Sequence, residues 1–435
     1  MGPDNLPNLN AGEVRLPAWS VAEGWPTCID FYEQRLVAGA TPEEPQYIWA
    51  SESGNFESFH PGDNDSDSVY FRPATSKMNA ILWLLGASHL LFGTTGAEFS
   101  AQGGSDAILT PGDVAVKRRT GIGSAAIQAQ LLDQGVVHVQ RHGKKVRELL
   151  YDYDTYSYTS TDLTLFSEHI TGDGVVAFDT TFQPYPILWF VRSDGQLCAC
   201  TYSRDIGVVA WHRHVTDGEY ESLATISGNG RDEVWVVVKR EVDGTVKRMI
   251  EVFTAEPETL EDSFYVDCGL TYDGAATTRV TGLHHLIGEE VAILADGAVH
   301  PPQTVAADGT LTLTLAAEKV HAGLPYTATM ETLRINPGAP EGDSLSRRRR
   351  ISQVDIDFYR TVNAVVYANT GSRLVRAPFR TVGDTMGQAI PWFTGIKDIK
   401  PQGEWNNEGT VKVVQDEPLP MTIRALVPRI EIGDA

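Results

Sequence analysis

Short apolar runs alternate with glycine-containing turns along most of the chain, and long stretches of helical periodicity are scarce. The recurring unit is a run of apolar or β-branched residues, a turn, and a second such run, which predicts β-hairpins. It appears in QRLVAGATPEEPQYIWAS (34–51), HLLFGTTGAEFSAQ (89–102), GVVHVQRHGKKVRELLYD (135–152), PILWFVRSDGQLCACTYSR (186–204) and EVWVVVKREVDGTVKRMIEVF (233–253). Asp194-Gly195 and Asp243-Gly244 are two-residue hairpin signals, because glycine accepts the positive φ that such turns need. With Val37, Leu91, Val137, Trp189 and Val236 as equivalent points, the intervals are 54, 46, 52 and 47 residues. That period suits a four-stranded propeller blade, a unit that buries its faces only by stacking on neighbours. A β-sandwich would show turns at shorter spacing without the longer period. Residues 60–76 and 154–170 fit the pattern poorly and leave the blade number open.

The pattern changes near residue 270. Residues 280–330 have short strands, two further Asp-Gly turns (Asp296-Gly297 and Asp308-Gly309) and alternation through Leu311, Leu313 and Leu315. A loop at 335–346 precedes strands expected near 351–359, 362–368, 410–415 and 421–431. The sequence thus predicts an all-β chain in four parts. These are an N-terminal extension (1–24), a β-propeller-like domain (25–270), a small β-barrel or β-sandwich module (271–334) and a β-rich C-terminal region (335–435).

Composition narrows the function. The 435 residues include 57 acidic against 35 basic side chains, a formal net charge of −22, so the averaged field repels nucleic acid and anionic membranes. There is no 18-residue apolar run and no signal-like amino terminus, so the expectation is a soluble protein without membrane insertion. Cys28, Cys198, Cys200 and Cys268 show no C-x-x-C spacing; Cys198 and Cys200 are expected on one buried face of a strand.

Motifs whose spacing a reaction requires are missing: no G-x-S-x-G elbow, no phosphate-binding Walker loop, no H-E-x-x-H pair. Gly228 and Gly230 precede a strand and read as a tight turn. His284 and His285, beside Glu289 and Glu290, would point to opposite faces of a strand and so would not converge on a metal. Asp63, Asp65 and Asp67 in DNDSDS alternate like calcium-loop oxygens, yet the central glycine and distal glutamate are missing, which favours a solvated loop. Propellers also host glycoside hydrolases, for which Asp179, Asp194 and Asp205 are the nominees, although the hairpin turn already explains Asp194. No cofactor is expected.

WPTCIDFYEQRLVAGATPEEPQYIWASESGNFESF (25–59) resembles the tail nozzle proteins of short-tailed bacteriophages, also called tail tubular protein B. Trp25, Pro26, Phe31, Tyr32, Arg35, Leu36 and Gly39 match the first half of that family's signature. Pro45, Ile48, Trp49, Ser51, Gly54, Phe56 and Phe59 match the second. Residues 79–99 match its n-x-I-x-W-l and l-x-x-g-T-x-x-g-E-f elements, and 136–148 its v-x-x-v-x-r-x-G-x-x-v-R-e element. Later blocks at GLHHLIGEEVAILADG, HAGLPYTATMETL and QDEPLPMTI, the last containing Pro418 and Pro420, extend the likeness over roughly residues 20–430. The resemblance implies a non-enzymatic virion protein, assembled in the host cytoplasm into the phage tail. It would form a homo-oligomeric, hexameric ring with propeller domains and a platform, docked to a portal-side adaptor and able to carry tail fibres. Genomic DNA would pass through its channel without sequence-specific binding. Members of the family carry a longer region before the W-P block than the 24 residues here, so whether this chain supplies the whole platform stays open. The competing expectation is a monomeric propeller glycoside hydrolase or glycan-binding adhesin.

Four consecutive arginines, Arg347, Arg348, Arg349 and Arg350, open a strand in which Val354, Ile356 and Phe358 alternate with Asp355, Asp357 and Tyr359. Strand geometry sends Arg347 and Arg349 one way and Arg348 and Arg350 the other, so they do not make a single DNA-facing patch. Besides a solvated loop end or a basic arm in direct contact with DNA, the run fits a subunit or partner interface, because arginine forms bidentate contacts with carboxylates that survive partial burial.

Overall fold

The computed structural model describes residues 19–74, 79–104, 108–133, 135–152, 154, 157–228, 230–338, 344, 346–368 and 373–433. Most of the expected N-terminal extension (1–18) and part of the 335–346 loop lie outside the described residues. The chain divides into two compact units: Met1–His214 with Tyr220–Val236, and Val215–Glu219 with Val237–Ala435.

The first unit is built from consecutive antiparallel meanders. The first sheet is β1 (Cys28–Tyr32), β2 (Arg35–Gly39), β3 (Ile48–Ala50) and β4 (Val69–Phe71). The second is β5 (Ile81–Gly86), β6 (Leu90–Thr94), β7 (Glu98–Gln102) and β8 (Ala115–Arg118). The third is β9 (Gln130–Leu132), β10 (Gly135–Val139), β11 (Val146–Asp152) and β12 (Ser157–Asp162). After a one-turn helix α1 (Glu168–Thr171) comes the fourth: β13 (Val175–Thr181), β14 (Ile187–Arg192), β15 (Leu197–Ser203) and β16 (Val208–His214). A three-stranded meander follows, β17 (Glu219–Ser227), β18 (Asp232–Val242) and β19 (Thr245–Val252), within which the chain passes from one unit to the other. The protein is all-β and propeller-like.

The five equivalent points of the repeat fall on the second strand of each meander: Val37 on β2, Leu91 on β6, Val137 on β10, Trp189 on β14 and Val236 on β18. A second strand has hydrogen-bonded neighbours at both edges. Val137, for example, lies between Glu148 and Gln130, and Trp189 between Asp179 and Ala199. In a stack of sheets such a strand is also covered on both faces, so β6 and β10 are buried throughout and read as largely apolar runs, broken in β10 by His138. The faces meet in shared cores. Val37, Ile48, Leu84, Phe92 and Phe99 join the first and second sheets; Trp83, Leu91, Val136 and Leu149 join the second and third. Val137, Leu188, Phe190, Cys198 and Cys200 join the third and fourth, with both cysteines buried on one face as expected.

In the second unit, β20 (Asp267–Val280), β21 (Glu290–Ala295), β22 (Ala298–Thr304) and β23 (Leu311–Leu324) form a sheet of order β20-β23-β21-β22 over a core that includes Leu286, Ile293, Leu313 and Val320. Asp296 and Gly297 both take positive φ at the β21–β22 turn, as Asp243 and Gly244 do at the β18–β19 turn. The remaining strands are β24 (Ala328–Glu331), β25 (Arg349–Thr361), β26 (Val365–Ala368), β27 (Val375–Arg376), β28 (Phe393–Ile399), β29 (Val411–Gln415) and β30 (Thr422–Ile432). They make two sheets, β24-β29-β26-β27 and β28-β25-β30, over one core containing Ile351, Ile356, Phe358, Val366 and Val413.

Two local readings need correction. His284 and His285 lie in a 3-10 turn (His284–Leu286), not a strand; an imidazole nitrogen of His285 is 2.9 Å from the carbonyl of Cys268. Leu315 breaks the expected inward alternation and is exposed, whereas Leu311 and Leu313 are buried.

Candidate functional site

Arg35 opens β2 beside the β1–β2 turn, opposite Tyr32. It is 1% exposed, and its guanidinium donates to the backbone carbonyls of Ser51 (2.7 Å), Asp65 (2.7 Å) and Asp67 (2.7 Å), with a longer contact to Ser66. The DNDSDS loop therefore directs its carbonyl oxygens at a cation supplied by the protein itself. The Asp67 carboxylate turns back onto the backbone N–H and side-chain amide of Asn64, a local loop clasp. Among the described residues no group of His, Cys, Asp and Glu is arranged to hold a metal ion.

Of the other signature residues, Ser51 meets this arginine through its carbonyl. The Ser51 hydroxyl is buried, accepts the Leu36 N–H (3.0 Å) and donates to the Glu52 carbonyl. Trp49 is buried, stacked on Tyr47 and edge-on to Trp19. Gly39 leaves little room for a side chain, since a Cβ there would lie 3.0 Å from Cys28 Sγ and 3.1 Å from Leu84. Trp25 is exposed and Pro26 half-buried. Pro418 and Pro420 are buried in the C-terminal unit, where the Pro420 carbonyl accepts the Val362 N–H.

Carboxylates that, apart from Asp179, the sequence reading did not single out clasp successive sheets. Asp30 on β1 accepts the backbone N–H of Gly86 on β5 at 2.7 Å. Glu98 on β7 is fully buried, accepts from Thr120 and from Ser124 (2.8 Å), and lies 3.9 Å from His138 on β10. Glu148 on β11 accepts from Tyr202 on β15 (2.8 Å) and from Arg204. Asp179 on β13 accepts the Thr225 N–H on β17 (2.8 Å), and Asp232 on β18 accepts the N–H groups of Phe182 and Gln183. Glu98, Arg147 and Glu148 are polar positions of the resembling blocks, and each interrupts an apolar run, which is the signal that could have found them. Burial raises the Glu98 pKa against the hydrogen bonds from Ser124 and the Gly123 backbone. It pulls His138 down to about 4, with the positive charge of Arg147 adding to the effect.

Of the nominated hydrolase carboxylates, Asp179 is committed to this clasp. Asp194 receives Arg192, which also donates to Asp173 and to the Ile170 carbonyl, so it pins the β14–β15 turn to α1. Asp205 is exposed in the β15–β16 turn. Two of the three nominees are thus engaged in hydrogen bonds within the fold.

The second unit has its own hub. Arg240 is buried and donates to Glu251 (2.8 Å to each oxygen), to both oxygens of Asp267 (2.9 and 3.1 Å) and to the Asp217 carbonyl (2.7 Å). Burial disfavours its charge, but these ion pairs outweigh that and hold its pKa above the ordinary value.

The four arginines separate as strand geometry requires, with a consequence the sequence did not reveal. Arg349 is 1% exposed and donates to the carbonyls of Ile335 (2.6 Å) and Ser344 (2.7 Å). It anchors a loop inside the fold and is not available to a partner. Arg348 and Arg350 are exposed, and Arg350 lies opposite Glu431 of β30; Arg347 is half-buried.

No protein-family model matches the chain, and no curated protein sequence matches it. Solved structures give remote likenesses. An auxiliary nutrient binding protein from Bacteroides thetaiotaomicron is 8% identical, over 54% of this chain and 58% of that one, with a TM-score of 0.31. A GH43 β-1,3-galactosidase is 8% identical over 64% and 67%, with a TM-score of 0.28. The Bombyx mori GH32 β-fructofuranosidase is 10% identical over 91% and 92%, with a TM-score of 0.26. Similarity at this level carries no argument about activity.

Proposed function

We propose that this chain is a structural component of a short-tailed phage nozzle, one copy of a ring around the channel through which the genome leaves. The observation that supports the reading most is where the family-like polar positions lie. Arg35, Ser51, Glu98, Arg147 and Glu148 are spent on clasping loops and sheets, as befits a load-bearing wall and not a reaction site. A net charge of −22 per copy also suits a conduit. An acidic wall repels the phosphates of passing DNA, whereas a basic one would hold them through many simultaneous contacts. The reading includes a portal-side adaptor as the docking partner. It is tested by the mass of the purified protein in solution together with electron microscopy of assembled tails. Rings in solution and density for this chain at the tail tip are expected. A strictly monomeric protein absent from virions, or one that hydrolyses or binds glycans, would overturn it.

A further inference from the structure

Charge is distributed very unevenly along the chain. Residues 344–435 carry 13 basic and 10 acidic side chains, whereas residues 1–343 carry 22 basic and 47 acidic. The C-terminal segment is thus net positive in a strongly negative protein. Its β28-β25-β30 sheet buries Val354, Ile356 and Phe358 on one face. The opposite face is exposed among the described residues. There Asp357 lies between Ile396 and Ala425, and Asp355 between Asp398 and Val427. Ile396 is 71% exposed and Val427 57%, with Tyr359 nearby at the end of the same row. Arg424 and Arg429 neutralise Asp357 and Asp355, and Arg360 lies over the Tyr359 and Trp392 rings. Apolar side chains set among charges already paired with opposite charges, with cations at the margin, form a surface suited to protein and less suited to a phosphate backbone.

A complementary surface lies on the same chain. Between residues 20 and 70 there are ten acidic side chains and one basic one, and that one is the buried Arg35. The first sheet there also exposes Ile29 (63%) and Phe31, the latter edge-on to exposed Phe56 at 5.2 Å. We infer that the exposed face of the β28-β25-β30 sheet seats a second copy of this chain, which presents the acidic outer side of its first sheet around Ile29, Phe31 and Phe56. The contact uses two different patches, so it is head-to-tail, and repeated contacts of that kind close into a ring when the rotation permits. This rests on the ring reading above and adds which faces meet.

The experiment is sedimentation velocity on the full-length protein and two double variants, I396E/V427E and F31S/F56S. All four side chains are exposed, so thermal unfolding should match wild type and confirm that the variants fold. Wild type should assemble, and each variant alone should be monomeric at concentrations at least tenfold above those at which wild type assembles. An equimolar mixture of the two variants should form a one-to-one complex, because one intact pair of faces remains between them. Wild-type assembly that survives both double substitutions would overturn this inference and leave the ring reading standing. A mixture that stays monomeric would overturn the head-to-tail pairing. A wild type monomeric at every concentration would overturn both. Retention of a short DNA duplex by wild type, lost in R360A/R424A/R429A, would reassign the face to nucleic acid.

Discussion

Arg35 in the first sheet and Arg349 in the C-terminal sheet are both about 1% exposed, and both direct their guanidinium N–H groups at backbone carbonyls instead of a carboxylate. Arg35 gathers carbonyls from residues 51 and 65–67 and so shapes a long loop from within. Arg349 ties only Ile335 and Ser344 to the start of a strand. The same contrast runs through the two regions. The meanders bury their ionisable groups between sheets, as with Glu98, His138 and Glu148, whereas the β28-β25-β30 sheet carries Asp355, Asp357, Arg424 and Arg429 on an open face. A buried carbonyl left without its donor costs about 1–3 kcal/mol, so the number of carbonyls each arginine serves sets its weight.

The largest expected effect follows from that count. Arg35→Ala should lower stability by roughly 3 kcal/mol or more and expose residues 60–68 to proteolysis, as read by denaturant unfolding and limited digestion. A loss under about 1 kcal/mol would break the comparison. The next test sharpens it through pH. The folded-state pKa of His138, about 4, lies below its ordinary 6.5, so the unfolded chain takes up the proton first. The stabilisation is therefore full above about pH 6.5 and is lost as pH falls towards 4, amounting to something on the order of 3 kcal/mol. Glu98, whose pKa is raised, works in the opposite sense as pH rises. Unfolding midpoints of His138→Gln should accordingly depend less on pH between 7 and 4 than those of wild type. Arg349→Ala should cost about 2 kcal/mol, with hydrogen exchange accelerated in residues 349–361 and unchanged in the meanders. Smallest of all, Arg348→Glu with Arg350→Glu should change stability by less than about 0.5 kcal/mol. A fully folded double variant that no longer assembles would assign those two arginines to the subunit contact.

Much of the blade region was legible because a middle strand covered on both faces must be apolar, and all five chosen points proved to be second strands. The C-terminal sheets were less so. Strand β28 escaped notice because Lys397 lies on its inward side with its ammonium over the Phe379 and Phe393 rings, while Ile396 faces out. The polar–apolar alternation is inverted there, and only the tertiary partners reveal why. The burial of Arg349 was invisible for a related reason. Strand period separates odd from even arginines but does not say which side has a loop carbonyl waiting. Glu98 and His138 were in plain view as interruptions of apolar runs, yet a single polar residue in a strand does not name its partner on the next sheet.

The order of strands also fixes a sequence of events in time. Each meander pairs strands that follow one another directly, so a growing chain can complete one while the next is still being made. The β28-β25-β30 sheet cannot close that way, because β25 must wait some seventy residues for β30. The exposed face inferred to receive a neighbour therefore comes into being only when the last strand is in place, and a chain interrupted before residue 422 would have finished meanders but no seat to offer.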